Sequence, residues 1–261
     1  EAGINLGSNH IRPLRKPEIG ILTEEPVSPG DYGELWYLLD ERLEIPFTPI
    51  AGRTLPRADL ARFNVVVIPD GSDFTRVLDS AQADRLKRWV REGGVLIAIE
   101  GAARHLLREN SGFPELGRKT RTPQESKGQD SITTADPGMK SFQDREDLRR
   151  RNRVPGTILK VDVDTTHPSG YALSPELCVF KGDGAALGVS EEAHVIAAFS
   201  RDTMAVSGYL PPGRGKQTAR SAYLAERGIG KGRVVLFAEN PTFRGFWRGT
   251  ERLLVNTLFF G

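Results

Sequence analysis

The stretch VLIAIEGAA, residues 95–103, decides the fold of this chain. Its first five residues form a continuous apolar run, as expected of a strand that is covered on both faces. The run ends at Glu100-Gly101, and the small residues that follow allow a sharp turn directly into a helix. A buried strand that turns at once into a helix is a building block of α/β proteins.

The same alternation of strand and helix extends over the first hundred residues. Helical spacing of apolar residues predicts a helix capped by Asp31 and a second helix that opens at Ser80. Further strands are predicted from the apolar runs at 18–22, 45–50 and 63–71. This pattern predicts a flavodoxin-like, doubly wound and mostly parallel sheet, with ligands expected at the carboxyl ends of the strands.

The second half of the chain predicts more strands and one polar insertion. Residues 111–153 have little apolar content, so we expect a long surface insertion that is partly mobile. Residues 1–17 are predicted to be an incoming linker, which leaves 18–261 as one α/β domain. Strands are predicted at 156–164, 176–180, 194–200 and 233–240, with a closing helix at 250–259.

Composition excludes several classes of function. The 36 basic and 34 acidic residues give a formal charge of +2, which argues against nucleic acid as a main partner. No stretch approaches the roughly 20 apolar residues that a membrane span needs. Cys178 is the single cysteine and lies in an apolar run, so we expect a buried, inert thiol.

Two strand ends carry candidate site residues. Glu100 and Gly101 lie where an elbow enzyme has its nucleophile, but neither can form the usual acyl-enzyme. His105 follows one helical turn later and could face the same crevice. The apolar run at 234–237 ends in Ala238-Glu239-Asn240-Pro241, which places a carboxylate and an amide at a second strand end.

The segments WVREGGVLIAIEG and GKGRVVLFAENPTFRG resemble class I glutamine-amidotransferase-like domains. In that family a Cys occupies the elbow, and a His and a Glu follow a late strand. The elbow position falls here at Glu100 or Gly101, and the late strand offers Glu239 without the His. The resemblance therefore implies the fold but a degenerate catalytic site.

A second resemblance is more specific. RRRNRVPGTILKVDVDTTHPSGYAL and GKGRVVLFAENPTFRGFWRGTERLLVNTL are similar to the amidotransferase-like domain found C-terminal to some bacterial zinc carboxypeptidases. This resemblance implies an upstream peptidase domain that holds the zinc, and a periplasmic or secreted location. The chain opens with Glu1 and lacks an initiator Met, so we expect a fragment of a longer protein. No His here is followed by Glu three residues on, so we predict no metal and no cofactor in this chain.

The function predicted from these resemblances is that of a non-catalytic accessory domain, which positions the peptidase or binds its peptide or cell-wall substrate. One alternative is a hydrolase or amidase with an atypical site around Glu100, His105 and Glu239. Another is a small-molecule or carbohydrate sensor that uses Asn240, Arg244 and Trp247, near the positive N-terminus of the closing helix. We expect a simpler arrangement near this helix, in which Glu239 and Arg244 pair and fix the loop.

Overall fold

A computed structural model describes residues 14–117, 146, 150–201, 205–211 and 213–260. Ten strands form one sheet. They are β1 (Ile19–Thr23), β2 (Phe47–Ala51), β3 (Val65–Ile68), β4 (Val95–Ile99), β5 (Thr157–Val163), β6 (Glu176–Lys181), β7 (His194–Phe199), β8 (Ala205–Gly208), β9 (Ala222–Ile229) and β10 (Gly232–Phe237). The helices are α1 (Pro29–Trp36), α2 (Ser80–Glu92), α3 (Gly101–Leu106), α4 (Arg214–Thr218) and α5 (Glu251–Phe260).

The sheet has a parallel half and an antiparallel half. Its order is β2-β1-β3-β4-β10-β9-β7-β5-β6, with β8 beside β5. The strands β2, β1, β3, β4 and β10 run parallel, which is the flavodoxin-like order and confirms the predicted α/β fold class. From β9 onward every pairing is antiparallel, so the sheet is mixed.

Burial explains why the parallel half could be recognised. Every residue of β3 and of β4 is buried, as predicted from their unbroken apolar runs. The side chains of β5 instead alternate between buried and partly exposed, which matches its alternating sequence. Gly230 closes the β9–β10 hairpin with φ 64°, a conformation that suits glycine.

The structure corrects the predicted cap of α1, and it describes only parts of the predicted insertion and linker. The N-cap of α1 is Ser28, whose hydroxyl accepts from the Asp31 amide; Asp31 itself lies in the first turn. Much of the predicted insertion lies outside the described residues, but Phe113 and Leu116 are fully buried in the core, so the compact part reaches at least that far. The predicted linker is described only from residue 14 onward.

Candidate functional site

Glu100 forms the elbow between β4 and α3. Its backbone has φ 48° and ψ −109°, which costs a non-glycine residue about 1–3 kcal/mol. Two backbone bonds hold this conformation: Glu100 N–H donates to the Phe237 carbonyl at 2.9 Å, and Arg104 N–H donates to the Glu100 carbonyl at 2.8 Å. Of the two candidate positions, Glu100 is therefore the one in the strained elbow conformation.

Gly101 brings the ends of β3 and β4 into close contact. A Cβ at this position would lie 2.2 Å from the Gly71 carbonyl oxygen, so only glycine fits without movement. The Gly101 N–H donates to Asp70 Oδ1 at 2.6 Å. In elbow enzymes the N–H after the nucleophile is a donor of the oxyanion hole. Here the Gly101 N–H already donates to the Asp70 carboxylate, so it is not free to bind an oxyanion.

The Glu100 carboxyl group has few hydrogen-bond and ion-pair partners, although most of it is shielded from water. Oε1 accepts from the Asn240 N–H at 2.8 Å, while Oε2 lies 3.7 Å from the Arg104 guanidinium. Burial, together with the negative charges of Glu239 and Asp70, raises the pKa of Glu100 to about 8. Glu100 is therefore mostly protonated and uncharged at neutral pH.

Glu239 follows the adjacent strand and has the opposite environment. Its side chain is 1% exposed and accepts from Lys181 Nζ at 2.6 Å and from the Gly182 N–H at 2.9 Å. Lys181 is 3% exposed and also donates to the Gly182 and Gly184 carbonyls. Both ions are thus paired and hydrogen-bonded. The predicted Glu239–Arg244 pair is wrong, because both Glu239 oxygens are taken by partners beside β6.

Asn240 stands where the resemblance expects a His near the late strand end. Its Oδ1 accepts from the amide and the hydroxyl of Thr242 at 2.8 and 2.7 Å. Its Nδ2 donates to Asp31 and to Glu34, each at 2.7 Å. Because Asn240 is 5% exposed and its amide is fully engaged, we do not expect it to contact a ligand.

Glu34 is a further acid of this site that sequence patterns did not reveal. Burial raises the pKa of Glu34 to about 7, against the effect of the Arg244 N–H that donates to it. Burial likewise raises the pKa of Asp70. A helical stripe or a strand end gives no local signal for such contacts, which arise only when α1 meets the segment after β10 and the end of β3 lies beside β4.

The remaining candidates do not meet at the elbow. The His105 ring packs 5.9 Å from the Phe74 ring and makes no hydrogen bond to Glu100 or Glu239. Burial lowers the pKa of His105. Trp247 donates its indole N–H to the Cys178 carbonyl at 3.3 Å, at the edge strand β6.

Arg244 and Cys178 are both exposed. The Arg244 guanidinium lies 5.2 Å from the centre of the Phe243 ring, which in turn stacks on Phe180 at 3.8 Å. The prediction of a buried Cys178 is wrong, because the side chains of β6 alternate and Cys178 lies on the exposed face, opposite to that of buried Val179. The N-terminus of α5 carries Glu251, which pairs with Arg42 at 2.5 Å.

A separate crevice of 690 Å³ lies at the ends of β1 and β3, the topological switch point where ligands bind in open α/β sheets. Asp70 lines this crevice and also contacts the elbow, whereas Glu100, Glu239 and Asn240 lie outside it.

Within the described residues, no group of three or more His, Cys, Asp or Glu side chains is arranged to hold a metal ion. In the same part of the chain, no helix has the length and apolarity to cross a membrane.

Comparisons with known proteins address the fold. No protein-family model and no curated protein matches the chain. A protein assigned as part of a GMP synthase from Thermoplasma acidophilum is 10% identical, with a TM-score of 0.54 and 94% of each chain covered. A cytoplasmic protein from Salmonella typhimurium is 14% identical, with a TM-score of 0.53, and the match covers 93% of this chain and 97% of that one.

A beta-galactosidase from Bacillus circulans sp. alkalophilus is also similar, at 14% identity and a TM-score of 0.47; the match covers 93% of this chain but only 30% of the galactosidase. The chain thus spans less than a third of that enzyme. Taken with the strand order, the GMP synthase likeness defines a class I glutamine-amidotransferase-like α/β fold. At these identities the likeness establishes the fold alone.

Proposed function

We propose that this chain is a non-catalytic domain of the amidotransferase-like fold that serves as an accessory domain of a zinc carboxypeptidase-like protein. The observation that supports the first part most strongly is the 2.6 Å bond from the Gly101 N–H to Asp70 Oδ1. The donor that would stabilise a reacting oxyanion is already satisfied by the protein.

The other positions of the degenerate site support the same proposal. Glu100 replaces the nucleophile with a carboxyl group that is uncharged at neutral pH. Glu239 is paired with Lys181, and the side-chain oxygen and nitrogen of Asn240 already hydrogen-bond to neighbouring residues. A general base must reach the proton that it removes, and neither ring nitrogen of His105 has a hydrogen-bond partner among the described residues. The alternative of a hydrolase around Glu100, His105 and Glu239 lacks the mutual hydrogen bonds that such a site needs.

The link to a peptidase depends on the sequence resemblance of 149–173 and 230–258. The proposed role is to position the peptidase domain or to bind part of its peptide or cell-wall substrate. Exposed Arg244 and its Phe243 neighbour form the surface that we propose for such a contact.

Catalysis can be tested by measuring ammonia release from L-glutamine. We expect no release above the buffer rate from the wild-type chain, and none from Glu100→Cys, because Asp70 still occupies the Gly101 N–H. Glu92→Gln, at an exposed carboxylate, is the matched control. Release by the wild type that is lost in Glu100→Gln but kept in Glu92→Gln would overturn the non-catalytic proposal.

The accessory role needs a different assay. Peptidase kcat/KM of the longer protein would be measured with and without residues 18–261, on short and on polymeric substrates. A loss confined to polymeric substrates, reproduced in part by Arg244→Ala, is the expected result. Unchanged kcat/KM on every substrate would contradict the accessory role without reviving catalysis in this chain.

The switch-point crevice favours a second candidate, a small-molecule sensor. A ligand present at 100 times its Kd would add about 2.7 kcal/mol to the free energy of unfolding, which is readily seen as a thermal shift. Arg76, an exposed residue of the crevice wall, offers a test: Arg76→Ala should abolish a genuine shift. Absence of any shift across a panel of sugars, amino acids and nucleotides would remove this candidate.

A further inference from the structure

A pair of stacked histidines lies in the antiparallel half of the sheet. His167 precedes the short helical turn Pro168–Gly170, and His194 begins β7. Their ring centres are 5.0 Å apart, with 26° between the planes. His167 Nε2 lies 3.1 Å from Glu226, and His194 Nε2 lies 3.2 Å from Asp164. We call Asp164, His167, His194 and Glu226 the histidine clasp.

The hydrogen bonds of His167 fix its neutral tautomer. The Ser169 N–H donates to His167 Nδ1 at 3.2 Å, so Nδ1 must be the unprotonated nitrogen. The ring proton is therefore on Nε2, which donates to Glu226. A second proton can bind only at Nδ1, where it would face the Ser169 N–H. Protonation must therefore break the bond that caps the turn.

The turn anchors the last helix. Asn256, on α5, donates from Nδ2 to the carbonyls of Ser169 and Tyr171 at 3.1 and 2.8 Å. The Tyr171 ring packs edge-on against Phe260, with 6.3 Å between the ring centres. Ser169 donates its N–H to His167 and accepts from Asn256 of α5 at its carbonyl. Two hydrogen bonds through one residue therefore connect the imidazole to the helix.

A second connection runs through the other ring nitrogen. Glu226 accepts from His167 at one oxygen, and its other oxygen lies 3.4 Å from the Arg233 guanidinium. Arg233 in turn donates to the Phe260 carbonyl at the end of α5. Both nitrogens of His167 are thus connected to the same helix.

We propose that His167 is a pH-sensitive latch that fixes α5 to the sheet when neutral and releases the 168–171 turn when doubly protonated. The charged groups that face it are Asp164 after β5, His194 on β7, Glu226 on β9 and Arg233 on β10; α5 presents the uncharged Asn256. The open state has a free Nδ1 and binds more protons than the closed state, so falling pH favours opening.

The two carboxylates do not themselves supply this response. Burial acts to raise the pKa of Glu226, but the His167 hydrogen bond and the Arg233 charge outweigh it, and the net pKa is lowered. Hydrogen bonds from Thr166 lower the pKa of Asp164. Both groups remain ionised over the range in which histidine titrates. Glu226 keeps the His167 ring in place through Nε2 while the Ser169 bond is lost.

Hydrogen exchange of the full chain tests the latch. Rates at pH 7.5 and 5.5 would be corrected for intrinsic chemistry. We expect the amides of Ser169, Gly170 and Tyr171 and those of 251–260 to exchange faster at pH 5.5 than at pH 7.5, by at most about tenfold for each pH unit, the limit for the uptake of one proton. Amides of α2 (Ser80–Glu92) should keep their protection. Equal corrected rates at both pH values, or a uniform increase that includes α2, would overturn the proposal.

His167→Asn is the decisive variant, because an Asn side-chain oxygen can accept the N–H two residues on and does not titrate. It should keep the turn closed at both pH values, while His194→Asn, which leaves the Ser169 N–H bond to His167 Nδ1 in place, should still exchange faster at pH 5.5 than at pH 7.5. The same pH dependence in His167→Asn would overturn the latch. If that variant does not fold, the ¹⁵N spectrum of wild-type histidines decides: at pH 7.5 His167 must be the Nε2–H tautomer, and the Nδ1–H tautomer would contradict the proposal.

Discussion

Glu100, with 20% of its side chain exposed, and Glu239, with 1% exposed, lie at the ends of the neighbouring parallel strands β4 and β10, yet their chemistry differs. Glu239 has a buried ammonium and a backbone amide as partners. Glu100 has one backbone amide and a distant guanidinium, and it sits on a strained backbone. The first is a structural ion, and the second is a neutral acid at neutral pH. Burial alone therefore does not define a site; the partners decide its charge.

Removing the cation of the Lys181–Glu239 pair should have the largest effect. Lys181→Met leaves a carboxylate buried without its counter-ion, so we expect the free energy of unfolding to fall by about 3–5 kcal/mol. Lys231→Met, at an exposed lysine of the β9–β10 hairpin, should change it by less than about 0.5 kcal/mol. Urea unfolding at pH 7.5 measures both. A loss below about 1 kcal/mol in Lys181→Met would mean that Glu239 does not depend on this pair.

Glu100→Gln should act in the opposite direction. The folded pKa of about 8 lies above the ordinary value of 4.5, so the wild type loses stability as pH rises from 4.5 to 8. Gln keeps the acceptor for the Asn240 N–H and carries no charge. We expect a gain that is absent at pH 4 and on the order of 3 kcal/mol above pH 8.

The exposed Glu92→Gln provides the control for this pH profile. Unfolding free energies at pH 4, 6, 8 and 9 separate the two variants. If Glu100→Gln destabilises the chain at pH 9, the Glu100 carboxylate has a stabilising partner there, and its contrast with Glu239 disappears.

A smaller effect of the same sign is expected at Glu34, whose pKa is raised to about 7. This group is only half-buried, so water screens its charge and the gain from Glu34→Gln should be about 1 kcal/mol at pH 8 and near zero at pH 4.5. Glu41→Gln, at an exposed residue of the π-helical segment Tyr37–Arg42 after α1, should show no such pH dependence. If the unfolding free energies of the two variants depend on pH in the same way, burial does not raise the pKa of Glu34.

The sequence predicts the parallel half of the fold well because its information is local. An apolar run such as 95–99 specifies a buried strand, and glycine or small residues specify the turn after it. The elbow at Glu100 follows from that pattern. The edge position of Cys178 does not, because the same apolar residues occur in central and edge strands. The short exposed strand β8 also carried no recognisable pattern.

The contacts that define the site are not local. Lys181 and Glu239 are 58 residues apart, and Asn240 meets Glu34 from 206 residues away. Such pairs depend on how α1, β6 and β10 pack around the sheet, which no spacing in the sequence encodes. The expected Glu239–Arg244 pair failed for this reason: proximity along the chain suggested a partner, and the tertiary fold supplied a better one.

The most direct test of this account is a ¹³C NMR titration of the Glu100 side-chain carboxyl in the wild-type chain, assigned by comparison with Glu100→Gln. The account predicts a midpoint near the value of about 8 that burial and the neighbouring acids impose, so that the group is protonated at pH 7. A midpoint near the ordinary 4.5 would contradict it, because an ionised elbow carboxylate at neutral pH would be available for binding or catalysis.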